Sequence, residues 1–309
     1  MTLTELTDWR CSSWSRLEGL DPIGTIGSYA GYLLIELPLP WPRDIGERAE
    51  LKPLIEAGRA RNIRVQAVVP ATPGAHRHVI YYAGSAAAPV DEHLGRYEVV
   101  VGPADIVTAA LDLIESPGTA MMDDRRDVLI CSHGRRDRCC GKLGARLAVD
   151  AFKREKSAGP VRIWRTSHTG GHRFAPTVLV LPEATGWAYV ESRTLARIID
   201  RQGPVSEITS HYRGTAWLDS GPAQTLERAV FEELGWSLLT MPRWSTTDRN
   251  TDGDARISTR LMVRFPDGQV QSWAGVVGKR DVLLPNCGEP PLDNFARYGE
   301  YHLLSFERL

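Results

Sequence analysis

The chain has 309 residues, and its 37 Lys plus Arg nearly cancel 38 Asp plus Glu, leaving a formal net charge of -1. That balance excludes a protein built mainly to coat nucleic acid or an anionic membrane. No apolar run approaches the length of a membrane span, and Met1 to Arg10 lacks the basic-then-apolar order of a secretion signal, so the expected place is the cytoplasm. Five cysteines, an odd number, argue against a disulfide scaffold, yet Cys131, Cys139 and Cys140 fall within ten positions.

In chain order, Tyr29 to Leu37 reads as a buried strand, and Pro38, Pro40 and Pro42 then punctuate a turn around Trp41. Asp44 to Arg59 has apolar residues at helical spacing. Ile63 to Val69 and Val79 to Ala83 read as strands, and Pro103 opens a helix through Ile114. A similar series follows: a strand at Asp127 to Ile130, a cysteine-bearing loop, a helix over Gly141 to Phe152 and a strand at Val161 to Trp164. Thr177 to Leu181 is expected to pair with Trp187 to Val190 across a turn at Gly186, before a helix over Ser192 to Asp200. The two series predict an α/β fold of two thioredoxin-like units, residues 1–122 without metal ligands and 123–205 with them. Residues 206–309 read as a small α+β appendage: a helix over Pro222 to Leu234, then Ile257 to Phe265 and Gln269 to Val277 flanking the hairpin turn Pro266-Asp267-Gly268.

Chemistry concentrates in two loops. One reads Cys131-Ser-His-Gly-Arg-Arg-Asp-Arg-Cys139-Cys140-Gly141, between a strand end and a helix start; the other reads Ser167-His168-Thr169-Gly170-Gly171-His172, again after a strand. Thiolate with imidazole suits zinc or Fe–S iron and not magnesium or calcium. Gly170 and Gly171 allow a close backbone approach and positive φ, which a bulky inorganic core needs. Eight residues separate Cys131 from Cys140, wider than the knuckle of a structural zinc site. Cys140 at a helix start would have its thiolate favoured by the dipole. Cys139 remains the alternative ligand to Cys140, or a small buried hydrophobe beside it.

The pattern CSHGRRDRCCG followed by SHTGGHRFAPTVLVLP resembles the sucrase/ferredoxin-like family, most densely from Asp127 to Tyr189. GTIGSYAGYLLIELPLPWPRD and HYRGTAWLDSGPAQTLERAV match it more weakly. The resemblance implies a thioredoxin-like ferredoxin domain, with a [2Fe–2S] cluster held by Cys131, Cys140, His168 and His172. The histidine pair points to the bis-histidine branch, because other thioredoxin-like ferredoxins use four cysteines. It implies a one-electron, proton-coupled carrier rather than an enzyme with its own substrate.

Around the four ligands, His133 is expected to hydrogen-bond within its loop. Asp137 is expected to cap the following helix, or else to accept an imidazole N–H. Arg135, Arg136, Arg138 and Arg173 together could offset cluster charge and dock an acidic partner. Cys11 and Cys287 read as bystanders; His76, His78 and His93 read as surface or structural residues. No Gly-x-Gly-x-x-Gly follows a strand, so a redox partner protein, for instance a flavin-dependent reductase, is expected to supply electrons. The appendage could recognise that partner, close a homodimer or cover the ferredoxin domain. Two alternatives remain: a thiol oxidoreductase using Cys131 with Cys139 or Cys140, and a structural zinc module.

Overall fold

The computed structural model describes residues 10–70, 74, 76–84, 95–118, 125–154, 160–248, 256–285 and 295–309. His93 and Cys287 lie outside these described residues.

The first half begins with helix α1 (Cys11–Leu17) and strand β1 (Gly31–Glu36). The expected helix over Asp44 to Arg59 is broken into two short 3-10 turns, Ile45–Glu47 and Ala49–Leu51, before α2 (Lys52–Ala60). Asp44 and Glu47 close a capping box on the first turn, and Pro53 restarts winding in the first turn of α2. Strands β2 (Ile63–Val68), β3 (Arg77–Ala83) and β4 (Arg96–Val101) and helix α3 (Ile106–Glu115) complete this half. β4 is absent from the sequence reading. It is an edge strand with Val99 and Val100 exposed, so no alternating burial pattern marks it.

The second half contains β5 (Arg126–Cys131), α4 (Ala145–Arg154), β6 (Val161–Thr166), β7 (Val178–Leu181), β8 (Thr185–Trp187) and α5 (Ser192–Asp200). The expected turn at Gly186 is corrected: the chain reverses at 182–184, with Ala184 at φ 51°, and Gly186 pairs with Leu179 inside β8. A side chain at Gly186 would meet Ile26, so this glycine serves packing rather than turning.

One nine-stranded sheet runs β4-β3-β1-β2-β6-β5-β7-β8-β9, where β9 is Tyr212–Thr215. Within it, β1 pairs parallel with β2 and antiparallel with β3; β5 pairs parallel with β6 and antiparallel with β7. Each half therefore has the same thioredoxin-like strand order, and β2 meets β6 antiparallel where they join. Alternation along the strands sorts the core. Leu33 and Ile35 of β1 face α2 and α3, and Val128 and Ile130 of β5 face α4 and α5. Tyr32, Leu34 and Leu129 point to the other face and share one cluster across both halves. Helix α6 (Gly221–Leu234), capped by Ser220, packs Leu226, Val230 and Phe231 against Trp187 and against the second sheet. That sheet is the antiparallel series β10 (Arg243–Asp248), β11 (Arg256–Arg264), β12 (Val270–Pro285) and β13 (Phe295–Arg308). No helix among the described residues is long and apolar enough to cross a membrane.

Candidate metal centre

Parallel pairing brings the two chemical loops together. Cys131 ends β5 opposite Thr166 at the end of β6, so the Cys131 and His168 loops leave the same edge of the sheet side by side. This is where parallel strands place functional groups. The Cys131 N–H donates to Thr177 O and the Ser132 N–H to Thr166 O, which pins the first loop to its neighbours.

Asp137 then starts the helical turn. Its Oδ1 accepts from the Cys139 N–H at 2.8 Å and the Cys140 N–H at 3.3 Å. The expected helix from Gly141 is wider at its start: Cys140–Gly144 winds as a π-turn before α4. Glycine is required at Gly144, because a Cβ there would overlap the Cys131 carbonyl oxygen. The helix thus lies directly on the end of β5 and carries Cys140 to Cys131.

The sulfurs of Cys131 and Cys140 and a ring nitrogen of His168 all lie within 4.8 Å of one another. Both cysteines are buried and His168 is half-buried. Hydrogen bonds from Cys140 and His168 hold the Cys131 thiol well below its ordinary pKa, although burial opposes them. The neighbouring Cys131 thiolate and burial push Cys140 up. The two thiols are therefore shifted in opposite directions.

His172 lies across the turn, its ring centroid 6.0 Å from that of His168. Gly170 and Gly171 make the turn at φ 83° and 71°, and a Cβ on Gly171 would press against the Arg213 guanidinium. The His172 Nδ1 is 2.9 Å from Asp137 Oδ2 and 3.2 Å from Cys11 Sγ. Asp137 thus does both things expected of it, capping the helix and facing an imidazole. Cys139 points to the other side from Cys140, with its sulfur 3.7 Å from that of Cys11, and these two sulfurs and Asp137 form a second buried group.

Two residues escape the sequence reading. Cys11, read as a bystander, is buried against Cys139 and His172, 128 and 161 positions away, and no local pattern announces such contacts. Arg213 is buried, donates to Thr25 Oγ1 and Thr25 O, and reaches Gly170 O at 3.4 Å. Its only signal was a place in the HYRGTAW stretch. Of the expected neighbours, His133 donates from Nε2 to Pro42 O at 2.8 Å, so its ring bonds outside its own loop. Burial lowers its pKa. Arg135, Arg136 and Arg138 are exposed, whereas Arg173 turns inward over the Tyr298 ring. His76 is exposed and His78 pairs with Glu98.

The donor set fits a soft or borderline metal: two cysteine sulfurs and the imidazole of His168, with the His172 ring outside that group. His168 Nδ1 adds to the fit, because it is buried and has no hydrogen-bond partner.

The sucrase/ferredoxin-like family model matches residues 22–214. The chain belongs to that family. It is also 34% identical over 97 residues to altered inheritance of mitochondria protein 32 of Debaryomyces hansenii. That match covers 30% of this chain and 35% of the yeast protein, so the chain spans about a third of that relative. A solved variant of the thioredoxin-like [2Fe-2S] ferredoxin from Aquifex aeolicus aligns at 19% identity and TM-score 0.22, covering 27% of this chain and 95% of that one.

Proposed function

We propose that this sucrase/ferredoxin-like protein is a one-electron carrier whose Cys131, Cys140, His168 and His172 hold a [2Fe–2S] cluster. The observation that carries the reading is the set of buried Cys131 and Cys140 with half-buried His168 within 4.8 Å, at paired strand ends. Such a cluster supplies reversible one-electron chemistry, at a potential that imidazole ligands raise above that of an all-cysteine centre. The chain's own residues do the rest. Hydrogen bonds from Cys140 and His168 lower the Cys131 pKa, which favours its use as a metal ligand. Cys11, Cys139, Leu143 and Ala175 form an apolar wall that keeps water from the sulfurs. Asp137 holds a proton at His172 Nδ1, which leaves Nε2 as the ring nitrogen that can take a metal. Arg213 brings a buried positive charge near the sulfurs of Cys131 and Cys140; burial lowers its pKa, and Tyr298, Tyr32 and those two sulfurs oppose that.

With no dinucleotide motif in the sequence, electrons come from a partner protein, for which a flavin-dependent reductase is a suitable kind. Anaerobically purified protein should be reddish-brown, contain iron and sulfide in equal amounts, bleach with dithionite and give a reduced-state electron spin resonance signal. Cys131→Ser should lose the colour, and His172→Cys should lower the potential where the centre survives. Colourless protein with stoichiometric zinc would sink this reading. A second reading, a dithiol oxidoreductase, draws on the lowered pKa of Cys131 beside Cys140. Their full burial opposes it, since thiol–disulfide exchange needs access for the attacking sulfur. Rapid alkylation of Cys131 in the native protein would favour it.

A further inference from the structure

We propose that the groove beside His168 seats an acidic face of the redox partner, and that the first half of the chain supplies most of that seat. This rests on the electron-carrier reading above. The groove runs from Arg43 and Arg59 past Arg64 to Arg136 and His168. Asp44 is the one acid lining it among the described residues, and its Oδ1 is committed to the Gly46 N–H.

The charge is real and available. Arg43, Arg59 and Arg136 are exposed, and no carboxylate lies within ion-pair distance of them among the described residues. Elsewhere many arginines are paired, as in Arg16 with Glu191, Arg197 with Glu207 and Arg243 with Glu227. The whole chain has a formal net charge of -1, so the groove is a local patch rather than part of a basic protein. Clustered unpaired cations focus the field and speed encounter with an anionic surface.

Position ties the patch to the metal set. Arg64 Nη2 donates to the His168 carbonyl at 2.8 Å and its Nη1 donates to the Tyr29 hydroxyl. The guanidinium therefore links the floor of the groove to the backbone of the half-buried histidine. Cys131 and Cys140 lie deeper, so His168 is the member of the set that a docked partner meets first. One electron passes from the partner's donor group, which is oxidised, to the centre, which is reduced, and no bond forms or breaks. The first half contributes β1 and β2 to the same sheet and α2 beside it, without contributing to the Cys131 set; docking gives that half a task.

The test uses the full chain and two probes. Fluorescein-labelled poly-glutamate stands in for an acidic protein face and is followed by anisotropy, which needs no metal. It should bind at low salt and be released at high salt. The triple variant Arg43→Glu, Arg59→Glu, Arg136→Glu should weaken binding by about tenfold or more, while Arg193→Glu with Arg260→Glu should leave it unchanged. In the reduced coloured protein, the same triple variant should slow oxidation by ferricyanide and speed oxidation by hexaamminecobalt(III). Equal binding by the triple variant and the control variant overturns the proposal. So does equally tight, arginine-dependent binding of single-stranded DNA, which would make the groove a general polyanion site. Protein without iron that still binds poly-glutamate through these arginines would sink the carrier reading and leave the acidic docking surface standing.

Discussion

At the scale of single residues, Asp137 is the busiest group in the centre. One oxygen holds two N–H groups at the helix start and the other faces His172, so its removal has two separable effects. Losing the cap should cost about 1 kcal/mol, within the usual 0.5–2. Asp137→Ala should therefore lower the denaturant midpoint modestly and weaken metal retention more. Asp137→Asn keeps an acceptor for the cap and loses the charge on His172; it should restore most of the stability and less of the metal content. Chemical denaturation and iron analysis on the same samples separate the two. Cys139 and Cys140 teach the same lesson about neighbours: adjacent in sequence, their sulfurs join different groups because the helical winding between them rotates one away from the other.

At the scale of elements, the centre depends on how closely the helix carrying Cys140 can lie against β5. Gly144 permits that approach and nothing larger would, since the obstacle is the Cys131 carbonyl rather than a flexible side chain. Gly144→Ala should push the π-wound turn away, at a cost of about 1–3 kcal/mol or more. We expect a lower melting temperature and a metal content well below that of the parent, measured after identical anaerobic handling. An alanine at Gly170, where a Cβ meets nothing within 4 Å, is the useful contrast: it strains a φ of 83° without touching a neighbour.

At the scale of the whole molecule, a buried ionic network fastens the two halves. Asp127, fully buried on β5, accepts from Arg162 Nε and Nη2, Trp164 Nε1 and the Tyr82 hydroxyl, and Arg162 also reaches Glu98 on β4. Asp127→Ala would leave Arg162 with Glu98 alone and strip the Trp164 and Tyr82 donors of their acceptor, which should cost roughly 3–5 kcal/mol in a denaturant titration. The rim of this network makes stability depend on pH. The hydrogen bond to Glu98 raises the His78 pKa above its ordinary 6.5, so this contribution is full below 6.5 and is lost as pH rises through the folded value. Burial opposes ionisation of Glu98, but its bonds to His78 and Arg162 win and lower its pKa below 4.5; that contribution is present above 4.5 and lost on acidification. The pair should thus stabilise most between about pH 5 and 6.5. Thermal melts of the parent and of His78→Gln across pH 5 to 8 check this; the variant should lose the decline on the alkaline side.

Local patterns were legible in the sequence. Apolar runs marked β1 and β5, alternation marked β2, helical spacing marked α3, α5 and α6, and the crowding of thiol and imidazole pointed to two loops of which the fold brings Cys131, Cys140 and His168 together, because each pattern is written within a few turns of chain. Edge strands such as β4 and the interruptions before α2 and at Cys140 were harder, since one-sided burial and altered winding leave weak periodic traces. Only the tertiary structure decided which distant groups meet: Cys11 against Cys139, Arg213 under the glycine turn, and the arginines of the first half around His168. The reason is topological. The parallel pairing of β5 with β6 and the joining of β2 to β6 set those distances, and no spacing along the chain encodes them.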